Sequence, residues 1–181
     1  YDKSVQEKYL NRYGRWHELR NEYIRAMMFY ERIGNRRAWL GVVAEDAGVM
    51  LAGLNPSEVI ETLQSCTADE LKENPYAILV LMRRLFSWGN IPKMLELKEL
   101  LTEAVKTDAG LTQEQRENLL GECDLIESFL HYNDITEMSR LHRSASRQMT
   151  DQAVSIQSRG SWTFGSPSVL MMFHRTPGQL S

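Results

Sequence analysis

Residues 9–34, YLNRYGRWHELRNEYIRAMMFYERIG, limit what this chain can become more than any other stretch. Tyr23, Ala26, Met27, Tyr30 and Ile33 recur at the spacing that lines up one side of a helix, while Glu22, Arg25, Glu31 and Arg32 fall elsewhere. A second amphipathic helix precedes it, so the stretch predicts a helical hairpin turning at Arg20-Asn21, with Trp16 and Ala26 facing each other across the turn. The small Ala26 between large aromatics suits close approach of two backbones. A lone hairpin leaves its apolar stripe bare. A neighbouring hairpin must cover it, which predicts a stack of similar units around one continuous core.

The rest of the chain repeats this plan. The first helix runs from Val5 to Arg20, with Tyr9, Leu10, Tyr13 and Trp16 as its apolar positions and Gly14 marking close packing. The second ends at Gly34-Asn35, a pair suited to a left-handed stop. A third is expected over 37–54 on Trp39, Leu40, Val43, Ala47, Met50 and Leu51. Asn55 caps a fourth, Pro56 to Gln64, with Glu58 in its first turn and Val59, Ile60 and Leu63 inward. Thr67 to Glu70 form a capping box opening a short helix that breaks at Asn74-Pro75. Residues 76–88, YAILVLMRRLFSW, are apolar nearly all round and belong in the middle of the stack. Helices over 92–106, 112–132 and 135–149 follow, turning at Gly89-Asn90 and Asn133-Asp134, about 44 residues apart, within the range of two-helix repeats. Residues 157–166, QSRGSWTFGS, lose the helical period and read as a loop pinned by Trp162 and Phe164. Ser166 and Pro167 then open a last helix, stopped by Pro177-Gly178.

With 181 residues, 43% of them hydrophobic, the chain suits one substantial core or one elongated array. A net charge of -3 builds no field for a phosphate backbone, so no direct nucleic-acid contact is expected. Arg36-Arg37 and Arg83-Arg84 are pairs, not patches. Cys66 and Cys123 read as buried thiols of a cytoplasmic protein rather than a disulfide framework. No apolar run reaches the roughly 18 residues needed to span a bilayer. Starting at Tyr1 with a helical pattern close to both ends, the chain is expected to be a piece of a longer protein.

Little in the sequence carries catalytic chemistry. Gly160 to Gly165 have the glycine spacing of a phosphate-binding loop, but Ser166 stands where a lysine is needed and no strand precedes. Glu127 and His131 lie one helical turn apart, yet a zinc site needs three or four ligands; a third reading, an all-helical enzyme, would require histidines and acids clustered in a deep pocket, with His131, His142 and Glu127 converging. His174-Arg175 complement a helix C-terminus, and Glu96, Glu99 and Glu103 beside Lys98 and Lys106 read as solvated surface. No serine or cysteine sits in a nucleophile setting, so no enzyme, metal or cofactor is expected. Trp16, Tyr23, Tyr30, Trp39, Trp88, Trp162 and Phe164 could line a groove, although most belong to the core.

RYGRWHELRNEYIRAMMFYERIGN resembles the segment that opens the helical arm of MalT-like, ATP-dependent regulators of the LuxR family, with a tryptophan-bearing helix, a tight turn and an alanine-centred second helix. SFLHYNDITEMSRLHRSA, followed by SWTFGSPSVLMMFHRTPGQL, is similar to the corresponding region of such regulators from Gram-positive bacteria. From about Leu54 to Leu111 only the helical plan agrees. The resemblance implies an all-α fold of antiparallel helical hairpins stacked as a tetratricopeptide-like (TPR-like) right-handed superhelix. Residues 1–66 would form arm-like hairpins and 67–181 the start of the sensor. The Walker lysine motif and a basic recognition helix are missing, so the implied role is non-catalytic. Such a region senses a small-molecule inducer or protein partner and signals to the ATPase and helix-turn-helix domains of the parent chain. Ligand-binding candidates are Trp162, Phe164, Arg175 and Tyr132. The alternative is a TPR-like protein-protein interaction scaffold unrelated to transcription, whose groove takes a peptide or a second copy of the chain.

Overall fold

Helix starts follow the caps that the sequence supplies. Asn35 and Asn55 accept from the backbone N–H of Ala38 and Ser57, and Thr67 and Thr112 close reciprocal capping boxes with Glu70 and Gln115. A computed structural model describes residues 3–155, and among them every regular element is helical. The order is α1 (Lys3–Glu18), α2 (Tyr23–Arg32), α3 (Arg36–Glu45), α4 (Pro56–Gln64), α5 (Ala68–Lys72), α6 (Pro75–Ser87), α7 (Ile91–Thr107), α8 (Gln113–Ser128) and α9 (Ile135–Gln148). Short 3₁₀ turns lie at Met50–Gly53 and Phe129–His131. None of these helices is long and apolar enough to cross a membrane.

The packing follows chain order. α1 pairs with α2, α6 with α7 and α8 with α9, while α3 leans on α6 and α6 on α8. A single apolar cluster runs from Ala26 of α2 to Ile126 of α8. As its composition predicts, α6 lies at the centre: Ala77, Ile78, Leu79, Val80, Leu81, Met82 and Leu85 are at most 1% exposed. Burying each large aliphatic side chain there contributes about 1.5–3 kcal/mol, enough to hold a helix touched by α3, α5, α7 and α8.

Three expectations need correction. The helix expected over 37–54 stops at Glu45, because Ala47 and Gly48 take φ of 52° and 76° and turn the chain into the 3₁₀ segment. Two contacts hold that break: Asp46 accepts from the Met50 N–H at 2.8 Å, and Arg84 Nε donates to the Gly48 carbonyl at 2.9 Å. The helix expected over 112–132 ends at Ser128, and residues 129–131 tighten into 3₁₀. In α1 the predicted inward stripe points outward instead, since Tyr9, Tyr13 and Trp16 are 56%, 56% and 51% exposed. Gly14 does mark close packing, as expected, because a Cβ there would sit 2.6 Å from the Tyr30 ring. Residues 156–181 lie outside the described residues, and with them the loop and final helix expected there.

Candidate functional site

The outward side of the α1–α2 hairpin is built from two stripes of helical spacing. Tyr9, Arg12, Tyr13 and Trp16 follow one another along α1, and Arg25, Met28, Phe29 and Arg32 along α2. The helices are antiparallel, with Asn35 Nδ2 donating to Asn11 Oδ1 at one end and Tyr30 meeting Gly14 midway.

The floor between the stripes is aromatic. Tyr13 stacks on Phe29 at 5.9 Å, Phe29 on His17 at 5.3 Å with planes 11° apart, and Trp16 meets His17 edge-on at 4.8 Å. Arg20 lies 4.7 Å over the Trp16 ring. Two open hollows flank His17, one of about 440 Å³ on the α1 side between Tyr9, Arg12, Tyr13 and Trp16, and one of about 480 Å³ between Arg25, Met28, Phe29 and Arg32.

The charges are unevenly satisfied. His17 is 8% exposed, and its Nδ1–H donates to Glu22 Oε2 at 2.7 Å. Arg20 and Arg25 reach the same carboxylate at 3.1 and 3.3 Å. Hydrogen bonding from His17 and then from Arg20 holds the Glu22 carboxyl below its ordinary value of 4.5. At the turn end the arginines are therefore partly neutralised. At the far end Arg12 and Arg32 have no carboxylate within ion-pair distance among the described residues.

The structure does not gather the sequence candidates at this face. Tyr132 is 53% exposed just after the 3₁₀ turn between α8 and α9, away from the hairpin hollows, and Trp162, Phe164 and Arg175 lie outside the described residues. Among the aromatics proposed for a groove, Tyr30 and Trp39 are core at 2% exposure, Tyr23 and Trp88 are half-buried, and Trp16 alone of the described set reaches the open face. The face was missed because a stripe of Tyr, Tyr and Trp at helical spacing reads as core. The signal that marks it is Arg12 and Arg20 falling within that stripe.

Glu127 and His142 each bond to another partner. Glu127 pairs with Lys98 at 2.6 Å. The fully buried Ser128 donates its hydroxyl proton to the Leu125 carbonyl at 2.6 Å and accepts from His142 Nε2 at 2.9 Å. Among the described residues no three His, Cys, Asp or Glu side chains group to hold a metal ion. No protein-family model, curated protein or solved structure matches the chain.

Proposed function

We propose that this chain is a non-catalytic, signal-sensing helical region of a bacterial, MalT-like regulator of the LuxR family, working in the cytoplasm. In this reading the hairpins form a TPR-like superhelix. An inducer or partner bound on the stack changes which packing the α1–α2 arm prefers, and the arm passes that preference to ATPase and DNA-binding domains elsewhere in the parent chain. The observation that carries it is the contrast within one hairpin: α2 is anchored in the shared core through Ala26, Met27 and Tyr30, while α1 packs chiefly on α2 and bares its aromatic stripe. An element tied to the core on one side and uncovered on the other is suited to relaying a change of packing. To shift such an equilibrium a ligand must bind the two states unequally, and a coupling of about 1–3 kcal/mol is the usual order.

Calorimetric titration with sugars and small metabolites, paired with amide hydrogen exchange, tests the relay. A ligand that saturates and alters protection in α1 and α2 supports it. A ligand that binds and leaves the hairpin amides unchanged removes the relay.

A second reading, a TPR-like interaction scaffold, is favoured by the make-up of the open face. Trp, Tyr, Met, Phe and Arg in one patch are the residue types that dominate protein-protein contacts. Sedimentation separates one form of it, since concentration-dependent dimers would show the face pairing with a second copy.

A further inference from the structure

We propose that the groove between the exposed stripes of α1 and α2 docks an acidic amphipathic helix from a partner protein, its apolar side on Tyr13, Trp16, Met28 and Phe29 and its carboxylates on Arg12 and Arg32. The inference rests on reading this hairpin as the contact face of the region.

Shape is the first argument. Two antiparallel helices already present a shallow channel with an aromatic floor, and a third helix laid along it would place side chains at i, i+3, i+4 and i+7 into the hollows on either side of His17. Charge is the second. Arg12 lines one hollow and Arg32 the other, both exposed and neither paired with a carboxylate among the described residues. Two guanidinium groups on one apolar face with no carboxylate beside them leave positive charge unmatched, and carboxylates brought by a partner would offer each a charge-assisted bond.

The same charges argue against a second copy as the occupant. Residues 3–33 carry seven Lys+Arg against four Asp+Glu, whereas residues 34–155 carry twelve against nineteen, so the hairpin is a positive end on an acidic body. A second copy docking face to face would bring two positive ends together. A helix with an apolar side uses both the aromatic floor and the arginine pair.

The test uses a fluorescein-labelled amphipathic peptide with a Leu/Phe stripe flanked by glutamates, a matched peptide with lysines in place of the glutamates, and fluorescence anisotropy on the whole chain. We expect saturable binding of the acidic peptide alone, weakened by salt and reduced about tenfold or more by the Arg12→Glu/Arg32→Glu pair. Trp16→Ala should weaken it as well. Circular dichroism checks that each variant keeps its helix content, and Arg12→Lys/Arg32→Lys, which keeps the charge, should retain most of the affinity. Equal binding of both peptides, no binding of either, or indifference to charge reversal would overturn the proposal. So would a concentration-dependent dimer that Trp16→Ala dissolves, since the occupant would then be a second copy. If hairpin protection still responds to a metabolite while the acidic peptide fails to bind, the acidic helix alone is lost and the relay stands.

Discussion

Ser155 is tied to Glu122 twice, its backbone N–H reaching Glu122 Oε1 at 2.6 Å and its hydroxyl donating to the same oxygen at 2.5 Å. The other carboxylate oxygen accepts from the Val154 N–H at 2.7 Å, so one side chain of α8, 3% exposed, fastens the segment that follows α9. The carboxylate leaves little of its bonding capacity unused, which makes its burial tolerable. Glu122→Ala strands two backbone donors and should lower stability by about 1–3 kcal/mol in urea unfolding, with Val154 and Ser155 amides exchanging faster. Unchanged exchange there would mean that the segment is held by something else.

Gly14 faces a ring that has no room to move. Tyr30 is 2% exposed and its hydroxyl donates to Glu18 Oε2 at 2.5 Å, so it is fixed at both ends when a Cβ at residue 14 arrives 2.6 Å from it. Gly14→Val should destabilise by about 1–3 kcal/mol despite the better helix propensity of valine. A thermal midpoint equal to that of the parent chain would contradict the packing of α1 on α2.

Gly48 carries a second such constraint. Its φ of 76° is a left-handed conformation, and a Cβ there would lie 2.6 Å from Val80 Cγ1 on the central helix. Gly48→Ala adds about 1–2 kcal/mol of backbone strain to the collision, and chemical denaturation should show a loss of at least that size.

Trp16 and Trp39 should answer differently to the same substitution. Trp39 is 2% exposed, and Trp39→Ala should cost about 3–5 kcal/mol. Trp16 is 51% exposed, and Trp16→Ala should cost less than about 1 kcal/mol by the same unfolding measurement. Equal costs would show that Trp16 belongs to the core after all.

Burial pushes the Cys123 thiol up to about 12 and the Cys66 thiol up to about 11, both from an ordinary value of 9.0, and burial followed by the Glu18 hydrogen bond raises Tyr30. These groups hold their protons in the folded chain at pH values where the unfolded chain releases them. Stability should therefore fall as pH rises above about 9, the unfolded state binding fewer protons. Urea midpoints between pH 7 and 10 check the sign, and a thiol reagent at pH 8 should label Cys123 only after unfolding.

Helix positions were legible where local chemistry decides them. The helix Pro56–Gln64 begins where Asn55 and Pro56 predict, and the turns at Gly89-Asn90 and Asn133-Asp134 fall where expected. The break at Ala47-Gly48 was not legible, because one of the two contacts that hold it comes from Arg84, 36 residues away in sequence, reaching back to the Gly48 carbonyl. Nor was the open face. Periodicity shows that Tyr9, Tyr13 and Trp16 share one side of a helix but carries no information on whether anything lies against that side.

What the sequence determined by itself was therefore everything set within a few residues: helix type, caps, turns and the apolar run that makes α6 the centre. What only the tertiary structure decided was which of the two sides of α1 meets α2. Gly14 is the reason: the missing side chain lets the Tyr30 ring come in on its side of α1, which leaves the aromatic stripe outside. Two candidate faces of one amphipathic helix differ little in local energy, and only close packing against a neighbour separates them.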